Sequence, residues 1–207
     1  VSPRILPLVA GVTLVLLGGC STPPATGSPS RAEAATNQLS QLTVRPAGGM
    51  AGYSREKFPH WSAVANGCDT REFVLKREGT GIKTDKNCKV TAGRWRSPYD
   101  DKQHTAASDL DIDHMVPLAN AWRSGANEWD NDRRGEFAND LDRPQLFAVT
   151  NSVNRAKGDQ DPSQWKPPNR SYWCEYAVNW IAVKKHWALS VTSAERDALK
   201  DMLSACT

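Results

Sequence analysis

The chain lacks a long membrane-spanning run, a strong charge of either sign, paired zinc-knuckle cysteines and any internal repeat. Its longest apolar stretch, Ile5 to Leu17, falls short of the roughly 20 residues needed to cross a bilayer. With 39% hydrophobic and 24% charged residues, it is neither a multispanning membrane protein nor a disordered acidic tail. A formal net charge of +3 neither identifies a nucleic-acid binder nor excludes one. No Cys-x-x-Cys pair occurs, which speaks against a zinc site made from the cysteines. No His-Glu-x-x-His pattern marks a zinc peptidase or amidase, and no helix-turn-helix or zinc-finger segment marks a sequence-reading module. At 207 residues there is room for one domain and a tail, and no second domain boundary shows.

Eight tryptophans and five cysteines stand out against these absences. The tryptophans supply large apolar area for a single core, and Trp95, Trp122, Trp165, Trp173, Trp180 and Trp187 read as packing rather than base-stacking platforms. Arg4, the apolar run and Gly18-Gly19-Cys20 describe an export signal over residues 1–19. Leu17-Gly18-Gly19-Cys20 is similar to a bacterial lipobox, in which Cys20 carries a lipid and becomes the mature N-terminus on the outer side of the membrane. Residues 20–40, rich in Ser, Thr, Pro, Ala and Gly, are expected to form a flexible tether, with the folded domain over 41–207. Cys68, Cys88, Cys174 and Cys206 are then an even set in an oxidising compartment. Of the three pairings, Cys68 with Cys88 and Cys174 with Cys206 is favoured, because each closes a local loop; a four-cysteine zinc site is the alternative.

The modest net charge conceals blocks. Residues 45–99 carry eleven basic against five acidic side chains, residues 100–142 four against eleven, and residues 150–188 six against three. Such an order suits a cation site beside phosphate-binding surfaces, and equally a solvated surface with patchy charge. The elements read as mixed. Cys68 to Glu78 suggests a helix capped at Asp69 or Thr70, Lys89 to Trp95 a strand, and Leu110 to Val116 a strand with a polar face ending at Pro117. Ala119 to Ser124 and Arg133 to Asn139 look helical, Leu146 to Val149 is a short strand, and Ser152 to Lys157 is a helix ending near Gly158. Tyr172 to Trp187 has helical spacing, and Ser193 to Leu203 follows a capping box at Thr192 and Glu195.

The chemistry sits in strand, strand, helix order: Asp113-His114 on the first strand and Asn154 on the helix. A carboxylate and an amide oxygen are hard ligands that suit Mg2+. An imidazole beside that ion can take a proton from water. Adjacent strand residues point to opposite faces, so Asp113 and His114 share a site only if the strand end is distorted. Asp109 and Asp111 lie near enough to shape the field, although Asp111 also suits an exposed strand face. His60, His104 and His186 sit in no readable pattern.

Asp111-Ile112-Asp113-His114-Met115-Val116-Pro117-Leu118, Leu146-Phe147-Ala148-Val149 and Asn154-Arg155-Ala156-Lys157-Gly158-Asp159 together resemble the HNH endonuclease family with its ββα-metal site. The chain is similar in particular to small exported HNH nucleases of actinobacteria, of lipoprotein type, related to the C-terminal domain of Gmr-type modification-dependent restriction enzymes. Cys68-Asp69-Thr70-Arg71, Gly93-Arg94-Trp95, Pro117 to Trp122, Phe137 to Asp140 and Asp161 to Trp165 extend the likeness over residues 50–207.

The resemblance implies an α+β fold: a ββα-metal (His-Me finger) core elaborated with extra helices and braced by the two disulfides. It implies that Asp113 and Asn154 hold a divalent metal, Mg2+ first and Mn2+ second, and that His114 is the general base. It places Arg155 and Lys157 on phosphate, with Arg71 a weaker candidate. Many members carry a middle Asn that holds the histidine loop; here the stretch is Asp142-Arg143-Pro144-Gln145, so Gln145 or Arg143 takes that place. The gap from His114 to Asn154 implies a helical insertion carrying Trp122 and Trp129.

The expected activity is hydrolysis of DNA, with RNA as a further substrate, by a monomer with little sequence preference and a lipid on Cys20. The alternative is a catalytically inert envelope lipoprotein that binds nucleic acid or cell-wall components. The intact set of Asp113, His114 and Asn154 argues against it, since a binder has no need of the base.

Overall fold

Four of the described α-helices begin where an oxygen-bearing side chain takes up a free amide proton, and each such start fixes a piece of the architecture. The computed structural model describes residue 1, residues 30–64 and residues 67–206; the apolar run Ile5–Leu17 and Cys20 lie outside these. The described elements are α1 (Arg31–Ser40), α2 (Thr70–Glu78), β1 (Thr80–Thr84), β2 (Val90–Arg96), β3 (Gln103–His104), β4 (Leu110–His114), α3 (Leu118–Arg123), α4 (Asn131–Ala138), β5 (Leu146–Thr150), α5 (Asn151–Lys157), α6 (Trp173–His186) and α7 (Ser193–Leu203). The class is α+β, as expected. None of the described helices is long and apolar enough to cross a membrane.

Asp69 caps α2 by accepting from the Glu72 amide at 2.8 Å, and Thr192 with Glu195 forms the reciprocal capping box of α7. The tether expected over residues 20–40 is corrected over Arg31–Ser40, which is helix α1. Ser30 and Glu33 close a capping box there, and Ala35 and Leu39 bury the helix in the core shared with α6 and α7. An Arg31–Glu175 ion pair at 2.8 Å ties α1 to α6 across the surface.

Strands β1, β2 and β3 form one antiparallel sheet, and β4 pairs antiparallel with β5 in a second. The β4–β5 ribbon is the wall between two cores. Leu110, Ile112, Leu146 and Ala148 belong to the smaller core with Val74, Leu75, Val90 and Trp95, while Val149 belongs to the larger one. The alternation follows from the two-residue period of a strand, which sends Asp111 and Asp113 to the face opposite Leu110 and Ile112. The expected insertion between these strands holds α3 and α4, and Trp122 and Trp129 both pack on the larger core. The six tryptophans read as packing all lie in or against a core.

The disulfides are Cys68–Cys88 and Cys174–Cys206, the local pairing. The second ties the start of α6 to the chain just beyond α7. Closing a loop of that size removes about 3–4 kcal/mol of entropy from the unfolded chain. Replacing Cys174 and Cys206 together by alanine is therefore expected to lower the calorimetric midpoint by about 10 °C. An unchanged midpoint would show that the bridge contributes no stability.

Candidate active site

Strand β5 runs directly into α5, so the first turns of that helix lie against β4. In the ribbon Asp111 faces Val149, Asp113 faces Phe147 and His114 faces Leu146. Asn154, one turn into α5, donates through Nδ2 to Asp111 Oδ2 at 3.2 Å. A cavity of about 240 Å³ opens here, and Tyr53, Arg55, Asp113, His114, Asn154 and Arg155 are among its lining residues. Asp113, His114 and Asn154 are thus brought to one place.

Neighbouring strand residues can share that cavity because β4 ends at His114 and the chain leaves the sheet there under two sets of ties. Gln145 grips residue 116 at both ends: its Oε1 accepts from the Val116 amide at 3.1 Å and its Nε2 donates to the Val116 carbonyl at 3.0 Å. The Met115 amide donates to the Gln145 carbonyl at 2.7 Å. From α5, Lys157 Nζ donates to the carbonyls of His114 at 2.8 Å and Met115 at 3.0 Å.

His114 is buried, with its ring stacked on Trp61 at 5.8 Å between centroids. Its Nε2 lies 2.9 Å from the Ala138 carbonyl, which can only accept, so Nε2 carries the proton and Nδ1 keeps its lone pair. Nδ1 has no hydrogen-bond partner among the described residues. Burial lowers the imidazole pKa to about 3; the bond to Ala138 opposes that fall, and Arg55, His60 and Lys157 add to it. The ring is accordingly neutral at physiological pH. An anionic phosphodiester in the cavity would raise its proton affinity by offsetting those cations.

Asp113 is also buried, and its Oδ2 accepts from the Tyr99 hydroxyl at 2.5 Å and forms an ion pair with Lys157. Burial pushes this carboxyl up, while the Lys157 charge, its hydrogen bond and that of Tyr99 pull it down. Burial pushes Lys157 down, and Asp113 opposes the shift. The rings of Tyr99, Trp180 and Tyr176 stand 5.7, 5.9 and 6.0 Å from the ammonium.

Three of the expected contacts are corrected. Lys157 is fully buried, and its three ammonium protons are taken by Asp113, His114 and Met115, so none remains for a phosphate. Arg71 is spent on Glu72 and on the carbonyls of Ala107 and Leu110, where it fastens α2 to the start of β4. Arg143 lies beside Asp142 and Asp140 at 3.4 and 3.6 Å and lines a different cavity; among the described contacts it makes none with residues 114–116. Arg155, by contrast, is exposed on the cavity.

Among the described residues no group of three or more His, Cys, Asp and Glu side chains could hold a metal ion. Asp113 and Asn154 both line the cavity, and neither Asp113 Oδ1 nor Asn154 Oδ1 has a hydrogen-bond partner among the described residues. Two hard oxygens suit a small divalent cation that keeps most of its waters. Tyr99, Trp61, Arg55 and Ala138 complete the surroundings: the first three are single residues distant from the motif, and Ala138, although within the Phe137 to Asp140 stretch, acts through a backbone carbonyl that its side chain does not announce.

The family model of GmrSD restriction endonucleases, C-terminal domain, matches residues 69–202. A protein of the fungus Arthroderma benhamiae, described as an uncharacterized secreted protein, is 57% identical over 185 residues, covering 89% of each chain. This relative is fungal, so the match does not speak for the actinobacterial lipoprotein type. No solved structure matches. The fold, the strand–strand–helix site and the match over residues 69–202 converge: the chain belongs to the family of GmrSD restriction endonuclease C-terminal domains.

Proposed function

We propose that the protein is an exported, metal-dependent endonuclease that hydrolyses phosphodiester bonds in DNA with little sequence preference, and RNA as a further substrate. The observation that carries this reading is a neutral histidine with a free Nδ1 lining one cavity with the oxygens of Asp113 and Asn154. His114 Nδ1 accepts a proton from water, whose oxygen attacks phosphorus as the bond to the 3′ oxygen breaks. The Ala138 carbonyl holds the Nε2 proton and so keeps the base in the required tautomer. Gln145 and Lys157 act as positioning residues by fixing the backbone of residues 114–116. Asp113 and Asn154 would hold the divalent cation, which when bound neutralises charge on the phosphate and on the departing oxygen. Arg155, exposed at the rim, is a phosphate contact.

Purified protein with its disulfides intact is expected to nick plasmid DNA in Mg2+ or Mn2+, and chelator is expected to abolish the activity. If neither metal gives cleavage of DNA or RNA above the chelated control, the proposal fails.

Export is supported by the two disulfides and by the secreted relative. For the anchor, mass spectrometry of the membrane fraction is expected to find a lipid on Cys20; an unprocessed N-terminus would remove that part of the proposal.

A further inference from the structure

The stretch matched by the family model begins at residue 69, yet one side of the cavity comes from the chain before it. Tyr53 and Arg55 line the cavity, and Trp61 stacks on the histidine. Arg55 opens a single helical turn over Arg55–Lys57 whose base is firmly held. The Phe58 amide donates to the Arg55 carbonyl at 3.0 Å, and the Phe58 ring is fully buried against Tyr53, Trp122 and Phe137. From α4, Arg134 Nε donates to the Lys57 carbonyl at 3.0 Å. With the backbone held in this way, only the side chain of the exposed Arg55 has freedom left to lose on binding.

The cations around the site divide sharply. Lys157 is paired with Asp113, Arg123 with Asp159 at 2.6 Å, and Arg71 with Glu72 at 2.9 Å. Arg55 and Arg155 line the cavity, and among the described residues neither has a carboxylate partner. Guanidinium groups without a carboxylate, lining the same cavity as His114, Asp113 and Asn154, are chemically matched to phosphate oxygens.

We propose that Arg55, supplied by the segment that precedes the family domain, is a second phosphate contact of this site and acts with Arg155 on the substrate backbone. The inference rests on the nuclease reading and adds a substrate-binding role for residues 53–61. Binding of a short labelled DNA duplex to the full chain is measured in chelator, where no cleavage intervenes, over a range of salt. Arg55→Ala is expected to weaken binding about tenfold or more. It is also expected to make the plot of log affinity against log salt shallower by about 0.9, the increment for one neutralised phosphate. Arg55→Lys, which keeps the charge, is expected to retain the slope, and Arg55→Ala with Arg155→Ala to lose about twice the increment.

Unchanged affinity and slope in Arg55→Ala would overturn the proposal, and so would weaker binding with an unchanged slope, which marks a merely structural residue. Both outcomes leave wild-type binding intact. Absence of binding and of cleavage in the wild type would instead bring down the nuclease reading itself.

Discussion

His114→Gln is expected to slow phosphodiester cleavage by ~100- to 10,000-fold, the usual worth of a positioned general base. Glutamine can still donate an amide proton towards the Ala138 carbonyl, the bond that Nε2 now makes at 2.9 Å. It offers no nitrogen that accepts a proton. The variant thus separates the structural half of the side chain from the chemical half, and a plasmid-nicking time course at saturating metal reads the difference. Cleavage at the wild-type rate would remove His114 from the mechanism.

The same variant tests the burial of the ring. The folded-state pKa of about 3 lies below the ordinary value of 6.5, so the unfolded chain takes up a proton first as pH falls. The stability linked to the neutral ring is therefore complete above 6.5 and is lost progressively between 6.5 and about 3. Glutamine does not titrate. Urea midpoints measured through this window should fall less steeply in His114→Gln than in the wild type. Parallel curves would mean that the ring is not held neutral by burial.

Lys157→Met is expected to cost about 3–5 kcal/mol of stability, because it leaves the Asp113 carboxylate buried without its counter-ion. It also releases the carbonyls of His114 and Met115, which lose a charged donor. Urea unfolding reads the loss. Asp113→Asn added to Lys157→Met removes the stranded charge while an amide oxygen remains for the Tyr99 hydroxyl. The double variant should recover much of the stability and none of the cleavage, since the carboxylate proposed to hold the metal is gone. A loss below about 1 kcal/mol in Lys157→Met would show that the pair is not the buried counter-charge described above.

The elements that position the site were legible because they carry strong local signals. Leu110 to His114 alternates apolar and polar residues, α5 ends at a glycine with φ +56°, and α7 opens on a reciprocal capping box. Helix α1 was not, although Ser30-Arg31-Ala32-Glu33 has the spacing of a capping box. Its buried face consists of little more than Ala35 and Leu39, too sparse to stand out from a Ser- and Thr-rich neighbourhood. Strand β1, Thr-Gly-Ile-Lys-Thr, has one apolar side chain and is held by its pairing with β2 rather than by a pattern of its own.

The motif names Asp113, His114 and Asn154, which line one cavity, but it could not say which cations face outward. Lys157 and Arg155 lie two residues apart on one short helix, so they leave it in very different directions. One is enclosed by three aromatic rings and the other reaches the rim. The side on which each falls depends on α6 and the Tyr99 loop, both far away in the chain. Arg55 was invisible for the same reason, being a single arginine outside every motif.

The ribbon that carries the motif also partitions the hydrophobic interior, with Leu110 and Ile112 on one side and Val149 on the other. A hairpin that carries the proposed base and is anchored in both halves is expected to have no private melting transition. On warming, loss of the proposed cleavage activity and loss of tertiary structure should coincide, so heat inactivation is expected to report global unfolding rather than local fraying at the cavity.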